Sequence, residues 1–399
     1  MRILIVNALY YPTFRGGAEL SVQHLAEALA VAGNKVYVVC MGDTTKVYRH
    51  NDVIVVMFKE RNVYTTYKLT HHNMLLKIIW HIFGCFNVFH YITFKKLINK
   101  IKPDLVNTNS LMGVSPIIWK AFEEKKVPVI HTVREYSLLC NKGKLFNNGK
   151  NCDQLCSACR LSYSLKKTYF HIPKYYIGIS DFALETHKNY GVINTKSTVV
   201  YNPIPVIIPN TFKNKEVDPD EIVFGFIGRI NVEKGVEYLV NEVINVSDAI
   251  KNRIKIVFAG EGEDDFVQDM AGKLIEAGIK FDFKGVMKQP DFFSQINVLL
   301  VPALWHEPFG RVAIESLSYS VPICMSGRGG LKELYNQNCC WLFEPSENNL
   351  TYIIEDIARD TSLIMSKSNA SKPYANQFSV NRNFLETLKV FNNINNKDK

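Results

Sequence analysis

Short apolar, β-branched runs alternate with longer helical patterns along the whole chain. In the first half, the runs that predict strands are Arg2–Asn7, Lys35–Cys40, Val53–Phe58, Leu105–Thr108, Val127–Thr132, Tyr175–Ile179 and Thr198–Tyr201. A second series is Ile222–Ile227, Ile254–Ala259, Lys280–Phe283, Val298–Val301, Pro322–Met325 and Cys340–Phe343. Strands that alternate with helices favour parallel sheets, so the pattern predicts an α/β protein with two successive doubly wound units.

Turn residues divide this pattern. Ala18 to Ala32 reads as a helix closed by Gly33, because glycine readily adopts the left-handed conformation that ends helices. The stretch Pro203–Glu221 contains four prolines and little periodicity, which predicts a linker between the two units. A last helical pattern covers Phe378 to Asn392.

The segment Ile78–Phe94 contains no Asp, Glu, Lys or Arg and is rich in aromatic residues. Its length is borderline for crossing a bilayer, and it includes two histidines and an asparagine. We interpret it as one or two helices that are either buried in the core or lie on a membrane surface.

Charge is distributed unevenly between the halves of the 399-residue chain. Residues 1–200 contain 26 Lys and Arg against 12 Asp and Glu, whereas residues 201–399 contain 21 against 26. The basic half favours an anionic partner, such as a membrane surface, a lipid-linked pyrophosphate or nucleic acid, although a solvated basic surface is an equal alternative. No nucleic-acid-binding motif accompanies the charge, so we expect no nucleic-acid partner.

The start of the chain has no apolar h-region or cleavage site of a secretory signal, which predicts a cytoplasmic location and few disulfides. Four of the nine cysteines, Cys140, Cys152, Cys156 and Cys159, lie in one loop-like segment. This clustering is compatible with a structural zinc site of four thiolates. Free thiols or an occasional disulfide are the alternatives.

The stretch from His306 to Glu315, HEPFGRVAIE, carries the main candidate chemistry. Pro308 is suited to the first turn of a helix, and Gly310 permits close approach of a ligand to the backbone. A helix N-terminus with carboxylates on both sides, Glu307 and Glu315, suits a sugar nucleotide. Its phosphates can meet free N–H groups and its hydroxyls can meet the acids.

This stretch resembles the E-x7-E signature of the retaining glycosyltransferases of family 4, which have the GT-B fold. Further motifs are similar to that family in the same order. They are Gly228-Arg229 with Lys234-Gly235 after one strand, Gly260 in an A-G-x-G turn, and Gly285-Val286 in a loop that cradles the nucleotide base. The resemblance extends over nearly the whole chain.

The resemblance implies roles for these residues. Glu307 would hold the hydroxyls of the transferred sugar, and Glu315 those of the ribose. Backbone N–H groups near Phe309 and Gly310 would meet the diphosphate, whose charge Arg229 and Lys234 would neutralise as it departs.

The first half carries two further candidates. Gly16 and Gly17, before the first helix, resemble the family's loop near the donor phosphate and the acceptor. His131 would contact the transferred sugar, but threonine follows it where the family commonly has an acid. Glu135 is a possible substitute, and a core histidine is the alternative reading of His131.

The implied fold is GT-B: two facing Rossmann-like domains with a cleft between them. Residues 1–202 would bind the acceptor, residues 203–377 would bind the donor, and the terminal helix at about 378–395 would pack on the first domain. Catalysis would need no divalent metal, since the only D-x-D match, Asp218-Pro219-Asp220, lies in the linker.

The implied function is transfer of a sugar from a UDP- or GDP-sugar to a saccharide acceptor, with a polyprenyl-diphosphate-linked saccharide of cell-surface polysaccharide assembly as the expected partner. Peripheral contact with the cytoplasmic face of the membrane would follow. A nucleotide-sugar epimerase of the same fold and a degenerate nucleotide-sugar-binding scaffold are the alternatives.

Overall fold

The structure, a computed structural model, describes residues 1–14, 16–65, 74–205 and 208–395. The chain forms two compact units. The first unit comprises Met1–Leu145, Cys152–Pro203 and the C-terminal residues from Val380, and the second comprises Phe146–Asn151 and Ile204–Ser379. The short segment 146–151, which the sequence analysis assigned to the first domain, therefore belongs to the second unit.

The first unit is built on an eight-stranded sheet. Its strands are β1 (Arg2–Val6), β2 (Lys35–Gly42), β3 (Lys46–His50), β4 (Val53–Lys59), β5 (Leu105–Thr108), β6 (Val129–Val133), β9 (Tyr175–Gly178) and β10 (Lys196–Val199). Strands β7 (Phe146–Asn147) and β8 (Lys150–Asn151) are not part of this sheet; they form a separate hairpin that belongs to the second unit. The strand order is β10-β9-β6-β5-β1-β2-β4-β3, and only β3 runs antiparallel to its neighbour.

The helices of the first unit are α1 (Gly17–Val31), α2 (Met74–Cys85), α3 (Val88–Ile101), α4 (Ile118–Glu124), α5 (Ser157–Lys167) and α6 (Asp181–Asn189), with the C-terminal helix Val380–Asn395. Apolar residues of α1, such as Val22 and Leu29, pack on the β1–β2 region of the sheet, and Phe391 of the C-terminal helix joins the same core. The apolar faces of α1 and of the C-terminal helix are thus buried against the sheet that the β-branched runs form.

The second unit has a six-stranded, fully parallel sheet in the order β13-β12-β11-β14-β15-β16. The strands are β11 (Ile222–Ile227), β12 (Ile254–Ala259), β13 (Lys280–Phe283), β14 (Val298–Val301), β15 (Ile323–Ser326) and β16 (Cys340–Phe343). The helices are α7 (Val236–Ile244), α8 (Asp248–Lys251), α9 (Asp264–Glu276), α10 (Gln289–Phe293), α11 (Arg311–Ser318), α12 (Leu350–Arg359) and α13 (Ser362–Ala375); the C-terminal helix Val380–Asn395 is α14.

Most strand predictions match the structure within one or two residues, but three short strands were missed. Strand β3 has alternating polar and apolar residues around a single valine, and the hairpin β7–β8 has only two residues in each strand. The predicted linker Pro203–Glu221 contains no helix or strand among its described residues, and its residues 206 and 207 lie outside the described part of the chain.

The aromatic segment 78–94 forms parts of two helices, α2 and α3, with Asn87 as the cap between them. The side chain of Asn87 accepts a hydrogen bond from the backbone N–H of His90 at 3.1 Å, which starts α3. Among the described residues, no helix has both the length and the apolarity that a bilayer crossing requires.

Candidate functional site

The candidate residues of the second unit lie in loops at one edge of its sheet. Four parallel strands, β11 to β14, end at this edge, and each is followed by one of the loops in which the sequence analysis placed chemistry. Ligands of open α/β sheets bind outside the carboxyl ends of the strands. The backbone N–H of Gly260 donates to Gly285 at 2.7 Å, and that of Gly228 donates to Ala259 at 2.9 Å, so three of these loops are joined directly.

Glu307 lies in the loop after β14 and is held by two partners. Its Oε2 atom is 2.8 Å from Nζ of Lys234, and it accepts a hydrogen bond from the indole N–H of Trp305 at 3.0 Å. The Lys234 ammonium also lies 5.2 Å from the centre of the Trp305 ring. Both charged groups keep some solvent exposure, so an arriving ligand can reach them.

The backbone of this loop is fixed from two sides. The N–H of Gly330 donates to the carbonyl of Glu307 at 2.7 Å. On the other side, the Asn151 amide donates to the carbonyl of Leu304 at 2.8 Å and accepts from the N–H of His306 at 2.9 Å. Asn151 belongs to the hairpin β7–β8, and the sequence analysis missed it because no periodic pattern marks so short a hairpin.

The loop after β11 packs closely against the loop after β14. The N–H groups of Leu304 and Trp305 both donate to the carbonyl of Glu233, at 3.0 and 3.3 Å. Gly235 adopts a φ of 77°, and a Cβ atom at this position would lie 1.7 Å from the carbonyl oxygen of Pro302. Only glycine fits there, and this close approach brings Lys234 within reach of Glu307.

Arg229 presents an exposed cation at the same edge. Its guanidinium is 60% exposed and lies 4.0 Å from the carboxylate of Glu233. An ion pair at the limit of contact distance, with the guanidinium in solvent, holds the side chain only weakly. The Arg229 guanidinium is therefore able to turn towards an anionic ligand.

Helix α11 starts later than the sequence predicts. Gly310, with a φ of 96°, is its N-cap and Arg311 its first residue, so Pro308 precedes the helix instead of occupying its first turn. Glu315 lies about one turn inside, and its carboxylate is 3.0 Å from the guanidinium of Arg311. Both side chains of this pair are largely buried.

The remaining donor-side candidates differ in accessibility. Phe309 is buried, and its ring packs edge-to-face on Phe378 with the ring centres 6.0 Å apart. Val286 is mostly exposed after Gly285, at the end of the β13 loop. The structure therefore gives the side chain of Phe309 a packing role, while Val286 is free to contact a ligand.

In the first unit, Gly16 and Gly17 lie at the start of α1. The N–H of Gly16 donates to the Glu19 carboxylate at 3.0 Å, which closes a capping interaction. The backbone of this turn is thus already bonded to Glu19, and a bound anion would have to share that N–H.

His131 lies in the core, as in the alternative reading that the sequence analysis left open. Its side chain is 3% exposed, its Nδ1 is 2.9 Å from the hydroxyl of Thr108, and its ring packs edge-to-face on Trp119 and Tyr176. Burial lowers the pKa of His131 to about 3, with the positive charge of nearby Arg134 as a smaller cause. The imidazole ring of His131 is therefore neutral, and Thr108, Trp119 and Tyr176 surround it.

A buried polar cluster that the sequence analysis did not predict surrounds Arg134, just beyond β6. The Arg134 guanidinium donates to Asn109 at 2.7 Å and to Asn202, and the amide of Asn109 donates to Asn107 at 3.0 Å. Asn107 in turn donates to Thr132 at 2.9 Å. Polar residues at the ends of otherwise apolar strands are the signal that could have revealed this cluster.

Glu135 follows this cluster and is half-buried. Its carboxylate accepts hydrogen bonds from Ser137 and, at 3.3 Å, from the hydroxyl of Ser110. Burial raises the pKa of Glu135 above its usual range, and the serine hydrogen bonds oppose that rise. The Glu135 carboxylate is used within the first unit, so the structure does not support it as a substitute for the family's acid.

The zinc prediction receives no support from the geometry. Among the described residues, no group of three or more His, Cys, Asp or Glu side chains is arranged to hold a metal ion. Cys140 and Cys159 are buried, Cys152 is half-buried and Cys156 is exposed. A hydrogen bond from the Cys159 thiol lowers the pKa of Cys140 to about 5, and backbone N–H groups of the following turn add to this effect.

Two family models match most of the chain. The model of glycosyltransferase family 4 matches residues 15–206, and that of the group 1 glycosyl transferases matches residues 208–375. A relative named "Uncharacterized 42.6 kDa protein in cps region", from Klebsiella pneumoniae, is 33% identical over 340 residues, which cover 84% of this chain and 87% of the relative. The 2-deoxystreptamine glucosyltransferase of Streptomyces kanamyceticus is 33% identical over 27% of this chain and 28% of its own length.

Solved structures share the fold at low sequence identity. Anabaena Alr3699/HepE, solved in complex with UDP and glucose, matches with a TM-score of 0.70 and 17% identity over 98% of this chain and 100% of its own. Sucrose-phosphate synthase from Thermosynechococcus elongatus matches with a TM-score of 0.73 and 17% identity over 98% of both chains. The two units therefore have the GT-B fold, and the chain belongs to glycosyltransferase family 4 and is a glycosyltransferase.

Proposed function

We propose that this enzyme transfers a sugar from a nucleoside-diphosphate sugar to a saccharide acceptor with retention of the anomeric configuration. The observation that carries the proposal is the contact of Lys234 with Glu307 beside the exposed Arg229, at the carboxyl edge of a parallel sheet. Two cations next to a carboxylate fit a ligand that has a diphosphate at one end and sugar hydroxyls at the other. HepE, which shares the fold, has been solved with UDP-glucose.

In this proposal the diphosphate binds Arg229, Lys234 and the N-terminus of α11. Bound phosphate oxygens would compete with Glu307 for the Lys234 ammonium, and the released Glu307 oxygen would accept a hydrogen bond from the transferred sugar. Glu315 would hold the ribose hydroxyls, and Gly228, Gly260 and Gly285 would let the nucleotide approach the backbone closely. These cations and the helix N-terminus supply the positive charge for which other glycosyltransferases use a divalent metal.

The reaction would proceed on one face of the sugar. The bond between the anomeric carbon and the phosphate oxygen breaks, the bond from that carbon to the acceptor oxygen forms, and the acceptor proton passes to the departing phosphate. Neither glutamate is needed as a covalent nucleophile. The protein contributes mainly positioning and stabilisation of the charge that develops on the leaving diphosphate.

The acceptor is proposed to be a lipid-linked saccharide of cell-surface polysaccharide assembly. Two observations support this class of acceptor. The first unit is strongly basic, which suits a polyprenyl diphosphate, and the Klebsiella relative is named as a protein of a cps region. Gly16-Gly17 and the polar cluster around Arg134 lie at the carboxyl edge of the first sheet, where an acceptor would be expected.

The test is release of nucleoside diphosphate from a panel of UDP-, GDP- and ADP-sugars, with binding of each donor measured by calorimetry. Release from one donor, lost in Arg229→Ala and retained in the exposed control Arg359→Ala, would support the proposal. Binding with conversion to an epimeric donor would identify an epimerase instead. Absence of binding to every donor would overturn the donor site.

A further inference from the structure

A small cavity lies in the first unit, where the loops that follow β5 and β6 meet helices α2 and α5. Trp80, Leu111 and Leu138 give it apolar walls, and Asn141 and Lys166 add polar groups. We call it the Lys166 cavity. Because β5 and β6 are adjacent parallel strands, both loops lie at the carboxyl edge of the first sheet, where ligands of such sheets bind.

Lys166 is the unusual residue of this cavity. Its side chain is 8% exposed, and its ammonium donates to the carbonyl of Ser137 at 2.7 Å. Among the described residues, the Lys166 ammonium forms no ion pair with a carboxylate. An ammonium has three N–H donors, and a buried donor without an acceptor costs free energy. A ligand that brings a further acceptor into the cavity would therefore be stabilised by Lys166.

The charges around the cavity favour a neutral ligand. Burial lowers the pKa of His81, which also lines the cavity, to about 4, with the positive charge of Lys166 as the second cause. The imidazole is therefore neutral at pH 7. The Glu135 carboxylate is close enough to Lys166 for the ammonium to oppose the rise in the pKa of Glu135. An anion in the cavity would meet Glu135 as a repulsive neighbour, and a neutral acceptor would not.

The volume of the cavity limits the group that it can take. It measures about 30 Å³, which is room for roughly two or three water molecules. A group of about three non-hydrogen atoms fits this volume, and a pyranose ring does not. Gly84, Met112 and Asn141 are half-buried, so the cavity reaches solvent on their side and a ring can remain outside. Apolar walls with one buried ammonium match a methyl group joined to a carbonyl.

We propose that the Lys166 cavity binds the acetamido group of an N-acetylated sugar in the acceptor. The methyl group packs on Trp80 and Leu111, the carbonyl oxygen accepts a hydrogen bond from the Lys166 ammonium, and the pyranose ring stays at the mouth. The inference rests on the proposed function, because it assumes that the first unit binds a saccharide acceptor. It adds the class of sugar that this acceptor carries.

The first measurement uses the full chain and the methyl glycosides of N-acetylglucosamine, N-acetylgalactosamine, glucose and glucuronic acid. Saturation-transfer NMR should show the strongest saturation on the acetyl methyl protons. An N-acetylated glycoside should have a Kd at least about tenfold lower than the glucoside, which lacks both the buried methyl group and the carbonyl. Tighter binding of the glucuronide would assign the cavity to a carboxylate and overturn the proposal. Equal binding of all the glycosides, or no binding of the N-acetylated ones, would also overturn it.

Gly84→Val is a variant that fills the cavity and keeps Lys166. A Cβ atom at Gly84 meets nothing within 4 Å, so the fold has space for the valine. The N-acetylated glycosides should bind this variant at least about tenfold more weakly, because the added side chain occupies the room of the acetyl group. Gly272→Val, in α9 of the second unit, is the matched control, since a Cβ atom there also meets nothing within 4 Å. Equal affinities of the two variants would contradict the proposal.

Lys166→Met removes the ammonium and keeps the apolar stem, so it should abolish most of the preference for N-acetylated glycosides over the glucoside. Lys167→Met, at the next and exposed position of α5, is its control. A preference retained in full by Lys166→Met would remove Lys166 from recognition of the acetamido group and overturn the proposal. The Tm of each variant shows whether a lost affinity reflects unfolding.

Donor binding by calorimetry, measured on the wild-type protein, separates this inference from the proposed function. Wild type that binds a nucleotide sugar but shows no preference for N-acetylated glycosides would overturn the Lys166 cavity alone. Wild type that shows the preference but binds no donor would overturn the donor site alone.

Discussion

Lys234 and Glu307 are 73 residues apart in the chain, yet the Lys234 ammonium lies 2.8 Å from Oε2 of Glu307. The contact depends on the close packing of two loops, since Leu304 and Trp305 both donate to the carbonyl of Glu233, next to Lys234. Under the proposed function, this cation and this carboxylate would serve the two ends of a nucleotide sugar, the diphosphate and the transferred sugar.

Lys234→Ala should lower kcat/KM for donor turnover by about 10²–10³-fold, because the leaving diphosphate loses a positioned cation in a partly dehydrated site. Steady-state release of nucleoside diphosphate measures this change. The control is Lys280→Ala, an exposed lysine at the start of β13, on the amino edge of the sheet. Equal losses in the two variants would mean that net charge, and not the position of Lys234, determines the rate.

The contact between Lys234 and Glu307 also predicts coupling between their substitutions. The double variant Lys234→Ala with Glu307→Gln should lose less activity than the product of the two single losses. Either single substitution already breaks the contact between the two side chains, so the second has less left to disrupt. The same donor assay on all four proteins gives the coupling. Strict multiplicativity of the losses would show that the two residues act independently.

Asn151→Ala should reduce donor turnover about tenfold while changing Tm little, because the loop that carries Glu307 loses both hydrogen bonds to the Asn151 amide. Asn151→Asp should have an intermediate effect, as it keeps the acceptor for His306 and loses the donor to Leu304. Asn245→Ala, which removes an exposed amide hydrogen bond to Asn241 on α7, is the control. Full activity of Asn151→Ala would show that Asn151 is not needed to position Glu307.

Gly235→Ala should destabilise the second unit by about 2–5 kcal/mol, because the added methyl group meets the Pro302 carbonyl and φ is positive. Differential scanning calorimetry should show a Tm lowered by about 5–15 °C. Gly272→Ala is the matched control: it lies inside α9, where a Cβ atom meets nothing within 4 Å, so it should raise stability by about 0.5–1 kcal/mol.

His131→Phe should keep donor turnover within about threefold of wild type and should weaken the pH dependence of stability. The His131 pKa is about 3 in the folded chain and about 6.5 when unfolded, so the unfolded state takes up a proton first as pH falls. Stability is lost as pH falls below about 6.5, with roughly 2 kcal/mol from His131 by pH 5.

The measurement for His131 is Tm at pH 7 and pH 5 for wild type and variant. The Tm difference between the two pH values should be smaller in His131→Phe, although other buried histidines, such as His90 and His187, still contribute. His187→Gln, a buried histidine on α6, is a comparison that should shift the dependence in the same direction. A loss of turnover beyond about 100-fold in His131→Phe, with Tm unchanged at pH 7, would instead support contact of His131 with the transferred sugar.

The sequence determined the strands, and with them the fold class, because apolar β-branched runs separated by turn residues have few alternatives to buried parallel strands. Strands β5, β11, β12, β13, β14 and β16 have the predicted bounds. The donor-side candidates could also be chosen from the sequence, because they lie in the loops that follow β11 and β14 or, for Glu315, within α11.

Only the tertiary structure decided which of these residues meet and which are used elsewhere. His131 ends a strand as predicted, yet Trp119 and Tyr176, which come from other elements, enclose its ring. The hairpin that carries Asn151 is too short to leave a periodic pattern, and its contact with Leu304 spans 153 positions. Hydrophobic periodicity reports which side of an element is buried, whereas side-chain partners across loops depend on how distant segments pack, and no local pattern encodes that.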